Sequence, residues 1–242
     1  MAVFSCEEDP ARQKRSLLYA GSLAFITAYL LWPLLVGILS YCKLLEPGML
    51  MAAGPLVGAI VMGVMSYLIA GRSLKDVGRL LDLKPLPLKK LCWMIPLAVA
   101  AALVAGAVTL LNSMFMEYCN LHVETPGTVE VISYGGKWQV TIFCISALLA
   151  APVFEEILFR KICFERFSEL LNPVSAALLA ALCFAVMHLS LVQLPGLMLL
   201  ALLWQWLFRR SRNLSIPVLL HFFNNLLAAA LLLIARYLEW NL

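Results

Sequence analysis

The sequence predicts an all-α protein, a polytopic membrane bundle of about seven helices with a range of six to eight. Three observations carry this. Of 242 residues, 63% are hydrophobic and only 13% charged, where soluble domains run nearer one-half and one-quarter. Mean hydropathy is +0.91. Several apolar runs reach the roughly 20 residues a helix needs to cross a bilayer.

In chain order, the polar start MAVFSCEEDPARQKR shows no cleavable signal. The apolar run after it is too long for a signal peptide and is expected to stay as the first span, at 16–42. Further spans are read at 48–71, 91–112, 138–159, 174–192, 196–208 and 214–235. The 72–90 segment reads as a connector against the membrane surface, and 113–137 as the one sizeable loop on the other side. Nothing outside the spans is large enough to fold alone, so 1–242 is expected to be one membrane domain. The seven cysteines are scattered without a CxxC pair, so they read as small apolar residues and not as a disulfide or zinc framework.

With the N-terminus inside, 15 of the 18 lysines and arginines fall on the cytoplasmic side, Arg72 and Arg160 among them. Lys43, Lys137 and Arg236 are left outside. That bias follows the positive-inside rule. The net charge of +4 therefore points to topology and anionic lipid, and nucleic acid is not an expected partner.

Within the spans the ionisable residues reduce to Glu155, Glu156, His188 and His221, with Arg160 at the inner edge; His122 falls in the outer loop as a bystander. Buried charges in membranes are costly and mark paired or functional groups. Neighbours on a helix point about 100° apart, so Glu155 and Glu156 take different tasks. Glu156 and Arg160 stand at i, i+4 in the favourable order and are expected to pair near the headgroups. That leaves Glu155 for the bundle interior.

A helix break is expected at Asn172–Pro173. Glu155 lies 18 residues before Pro173 and His188 15 residues after it, so an antiparallel hairpin brings them to similar height. Phe184, one turn before His188, would wall the site. In HFFNN, His221 and Asn225 share a face and Asn224 lies beside it.

A glutamate, two histidines and an asparagine fit water-mediated attack on a carbonyl, a peptide bond above all. Glu155 would be the base, with His188 holding the water; His221 and Asn225 would stabilise the oxyanion. The aspartates Asp9, Asp76 and Asp82 lie outside the spans, which excludes an intramembrane aspartyl dyad. There is no HExxH zinc helix and no GxSxG nucleophile elbow. The same residues leave open interhelical salt bridges and hydrogen bonds, a non-catalytic binding protein, or a proton-coupled transporter. No inverted repeat supports the last.

The ordered set EExxxR (Glu155, Glu156, Arg160), FxxxH (Phe184, His188) and HxxxN (His221, Asn225) resembles the CAAX prenyl protease and bacteriocin-processing family, also called Abi. The resemblance covers about 138–230, the motif-bearing helices. It implies a glutamate-type intramembrane endopeptidase in which Glu155 and His188 activate water, while His221 and Asn225 form the oxyanion hole. The implied substrate is a peptide or lipidated peptide, in contact with membrane lipid. That family was long considered a zinc group, and a His/His/Glu set is able to bind zinc. No metal or other cofactor is the preferred reading, because the carboxylate is needed as a base. Some family members resemble immunity proteins or scaffolds. A bacterial or archaeal plasma membrane is the expected location. Substrate identity and oligomeric state are not legible.

Overall fold

The computed structural model describes residues 10–44, 53–70 and 74–239, and all their regular structure is helical. The helices are α1 (Arg12–Tyr41), α2 (Gly54–Ile69), α3 (Leu74–Leu80), α4 (Leu88–Tyr118), α5 (Gly127–Tyr134), α6 (Lys137–Leu170), α7 (Pro173–Val186), α8 (Leu194–Ser211) and α9 (Ser215–Glu239). The polar start at 1–9, Arg72 and the beginning of the expected second span lie outside the described residues.

Each of the seven expected spans corresponds to a helix. By length and composition α1, α4, α6 and α9 can cross a membrane, with α2 and α3 adding a fifth if they count as one bent span. The difference from seven lies mainly in α7 and α8. The 14 residues of α7 extend about 21 Å, short of a hydrocarbon core of about 30 Å. α8 ends in Arg209 and Arg210. The expected outer loop also corrects: α4 continues to Tyr118, and α5 folds within what was read as loop. This is an integral membrane protein.

Local signals set the boundaries. Asn172 caps α7, its side-chain oxygen accepting from the amides of Val174 and Ser175 at 3.1 and 3.0 Å, and Pro173 sits where a missing N–H costs nothing. Between α5 and α6, the Gly136 amide donates to Gln139 Oε1 at 2.7 Å.

Prolines inside the rods act differently. α1 widens to a π-helical turn at Thr27–Leu31, just before Pro33, and α6 does so at Ser146–Ala150, just before Pro152. A proline ring clashes with the carbonyl four residues back, and a widened turn relieves that clash. Each turn also frees one carbonyl. In α6 the Ala151 amide bonds to Ser146 O, and Pro152 has no N–H to offer, so Ala147 O loses its helical donor. In α1 the Trp32 amide bonds to Thr27 O and Pro33 likewise leaves Ala28 O. A third widened turn, Ile157–Cys163, carries Arg160 and has no proline behind it.

Small residues bring the rods together. Ala20, Ala24 and Ala28 of α1 are buried. A Cβ on Gly58 of α2 would stand 2.8 Å from the Phe154 ring and 2.9 Å from Ala28 Cβ. Any side chain there would push α2 off both α1 and α6, the usual reason for small residues at membrane helix contacts. Gly196 serves α8 against α4 in the same way, since its Cβ would meet Thr109 Oγ1 and Ala105 O.

The bundle has two distinct ends. At one, Lys14 pairs with Glu169, Lys161 with Asp82 at 2.6 Å, and the Leu214 amide donates to Asp82 O at 2.9 Å. At the other, α5 and the turns at 119–126 and 187–193 come together. There Glu124 Oε1 accepts from Ser190 Oγ at 2.9 Å and from the Val192 amide at 2.8 Å, while Asn112 Nδ2 donates to the carbonyls of Leu191 and Val192.

Candidate active site

A cavity of about 290 Å³ lies between α1, α6, α9 and the turn after α7, and Glu155, His188, His221, Asn224 and Asn225 all line it. The structure thus gathers the four candidate catalytic residues around one space. Glu156, Arg160 and Phe184 lie behind its wall and are fully or almost fully buried.

Glu156 is saturated. Arg160 Nε donates to its Oε2 at 2.7 Å and a terminal guanidinium nitrogen donates to Oε1 at 3.1 Å. His221 Nδ1 stands 3.0 Å from the same Oε1. The pair forms as the i, i+4 spacing predicts, and both side chains have zero exposure, enclosed by the bundle itself. The widened turn at Ile157–Cys163 keeps Arg160 inward, and its guanidinium lies 4.9 Å from the centre of the Phe184 ring. That aromatic face offers a cation a partner in place of water.

Glu155 is nearly bare by contrast. Its Oε1 accepts one bond from the Tyr29 hydroxyl at 3.3 Å. Its Oε2 is buried without a hydrogen-bond partner among the described residues and lies 4.0 Å from His221 Nε2. A buried carboxylate oxygen with nothing bound to it is costly unless a ligand or water completes it.

The two histidines differ in what they offer. His188 does not sit within α7 as the sequence reading had it; the helix ends at Val186, and His188 occupies the turn that follows. Its Nδ1 is 2.9 Å from Phe184 O. A carbonyl only accepts, so Nδ1 carries the proton and Nε2 is left as an acceptor on the far side of the ring. Phe184 packs against both imidazoles, at 4.9 Å from His188 and 5.9 Å from His221. His221 has each nitrogen turned to a carboxylate. With Nδ1 donating to Glu156, a neutral ring presents a bare Nε2; only the doubly protonated ring donates from both sides.

Asn225 is fixed by the backbone. Its Nδ2 donates at 2.8 Å to Ala147 O, the carbonyl that Pro152 sets free. One amide hydrogen is thereby engaged and the second remains for a ligand. Asn224 Nδ2 reaches Asn225 Oδ1 at 3.4 Å. His122 is exposed in the 119–126 connection, away from the cavity lining.

Residues 137–227 match the family described as type II CAAX prenyl endopeptidase Rce1-like. Over this segment the chain is similar to the Rce1-like family. A protein of Bacillus subtilis (strain 168) named "Putative membrane peptidase YdiL" is 28% identical over 102 residues, which is 41% of this chain and 42% of that relative. The match thus spans less than half the length of the curated relative. No solved structure matches significantly.

The Rce1-like segment holds all three motifs, yet the cavity is not built from it alone. Tyr29 and Pro55 come from α1 and α2, and Thr128 from α5. Tyr29, which the sequence reading passed over, is among the described residues the one side chain hydrogen-bonded to Glu155. Pro33 was the available signal, since it places the widened turn at Tyr29. Ser146, whose buried hydroxyl has no partner, also lines the cavity and was missed. For zinc the fit is poor: among the described residues no three His, Cys, Asp or Glu side chains group closely enough to hold a metal ion.

Proposed function

We propose that this protein is an intramembrane endopeptidase that hydrolyses a peptide bond of a membrane-associated or lipidated peptide with a glutamate-activated water. The observation that carries this reading is the unpartnered Oε2 of Glu155, facing His221 at 4.0 Å in a cavity it shares with His188 and Asn225. Water bound there donates one hydrogen to Glu155 and the other to the acceptor Nε2 of His188. As the oxygen attacks the carbonyl carbon, its proton passes to Glu155, and the carbonyl oxygen becomes an oxyanion. His221 donates to that oxyanion from Nε2, and Asn225 donates its remaining amide hydrogen. Glu155 then returns the proton to the leaving amine. Glu156 and Arg160 hold His221 in place and take no part in proton transfer.

The reaction needs no metal in this reading. The N-terminus lies in the cytoplasm and the membrane is a bacterial or archaeal plasma membrane. Positioned general bases contribute about 10²–10⁴ in rate. Glu155→Gln in purified protein should therefore lose at least that much cleavage of a membrane peptide while its melting temperature holds. Chelators should leave the wild type active. Full activity in Glu155→Gln, or one zinc per chain lost together with activity, would end the proposal.

A further inference from the structure

From its floor at Glu155, Phe159 and His221 the cavity runs in one direction. Along α9 its lining passes from His221 through Asn225 to Ala229, and along α6 it passes back from Glu155 through Ala147 to Phe143. Both paths lead to the end of the bundle that holds α5. The lining there reaches Thr128, in the first turn of α5, and Gln193, in the turn after α7. In the opposite direction the buried group of Glu156, Arg160 and Phe184 closes the floor.

Charge is distributed the other way. Among the described residues, only Lys43, Lys137 and Arg236 of the lysines and arginines belong to the α5 end. The closed end holds the basic 75–90 segment, the start of α1 and the Arg209–Arg212 cluster. Segments rich in lysine and arginine stay in the cytoplasm. Among the described residues no lysine or arginine lines the cavity, and the ionisable ones that do are Tyr29, Glu155, His188 and His221. A free terminal carboxylate or a phosphate finds no lysine or arginine there, and Glu155 opposes an acidic segment.

We infer that the cavity opens on the non-cytoplasmic face of the membrane and receives an uncharged internal stretch of a membrane-anchored polypeptide presented from that side. This rests on the endopeptidase reading for the cleavage and on charge asymmetry for the side. Substrates of this kind meet the protein after their cut region has been translocated. The class of reaction that supplies them is therefore membrane export or insertion.

Two measurements keep the side and the chemistry apart. Thr128→Cys and Arg212→Cys, each with Cys42 and Cys119 changed to serine, are treated in intact cells with a membrane-impermeant maleimide and mapped by peptide mass spectrometry. Labelling of Thr128→Cys should exceed that of Arg212→Cys at least about tenfold and equal it after permeabilisation. The reverse ratio overturns the inference whatever the activity. New membrane-protein termini that depend on Glu155, compared between wild type and Glu155→Gln cells, should face away from the cytoplasm. Termini facing the cytoplasm overturn the inference and leave the protease standing. With no Glu155-dependent termini the protease reading fails, and the substrate claim falls with it.

Discussion

Around Glu156 almost every polar atom is engaged, whereas around Glu155 the engaged atom is the exception. The two carboxylates are chain neighbours on α6 and both are buried. Glu156 receives two bonds from Arg160 and faces His221 Nδ1; Glu155 has one long bond from Tyr29 and a bare oxygen. Both oxygens of Glu156 are met by the protein itself, with only Arg160 Nη1 left over beside them, while Glu155 keeps a bare oxygen on the cavity side. Burial alone therefore does not mark the reactive group. An unmet carboxylate oxygen on the cavity lining does.

The comparison breaks most visibly if Glu156 is neutralised. Breaking a buried ion pair by removing one partner costs about 3–5 kcal/mol. Glu156→Gln should thus lower the melting temperature and the yield of folded protein, where Glu155→Gln leaves both alone. Equal melting of the two variants would erase the distinction.

The next effect is catalytic. Loss of one oxyanion donor costs about 10²–10³ in kcat. Asn225→Ala should fall in that range, and adding His221→Ala should cost less than the product of the single losses, because both serve one oxygen. Single-turnover cleavage of a membrane peptide gives the numbers. Strictly multiplicative losses mean that the two side chains do not share a task.

A smaller effect sharpens the Glu155 side. Tyr29→Phe removes one long hydrogen bond to a carboxylate, worth about 1.5 kcal/mol at the low end for a charged acceptor, so kcat should drop about 10-fold with KM and melting temperature unchanged. A change confined to KM would make Tyr29 a substrate contact instead.

The smallest effect lies at Glu124, outside the spans. The Val192 amide, and then the Ser190 hydroxyl, hold its carboxyl below the ordinary carboxylate range. A depressed value means that its grip on the turn after His188 is present at neutral pH and lost as pH falls through that lowered value. Hydrogen exchange at the Val192 amide should stay protected down to about pH 4, the ordinary glutamate range, and open only below it. Opening already near pH 6 would show that Glu124 does not hold the turn.

What the sequence discloses divides along the same lines. The ion pair of Glu156 and Arg160 is a local i, i+4 relation, and the α6–α7 hairpin follows from Asn172–Pro173, so both were readable. The Tyr29 contact joins residues 126 positions apart, and tyrosines in membrane helices are ordinary. No local rule distinguishes this one. The end of α7 before His188 was hidden by the apolar run that continues through Leu189 and Leu191. The carbonyl of Ala147 was readable in principle from Pro152, but its partner on α9 was set only by packing.

The shortness of α7 has a consequence for the surrounding lipid. Val174, Leu178, Leu182 and Val186 form an exposed stripe along it, and Leu189 continues that stripe at 89% exposure. An apolar face only about 21 Å tall meets a hydrocarbon slab of about 30 Å, and the mismatch costs a fraction of a kcal/mol per Å. Acyl chains beside α7 therefore compress, and the headgroup layer dips toward His188. The bilayer itself brings solvent down to a histidine that would otherwise sit in oil, and membranes of shorter chain length suit this protein better.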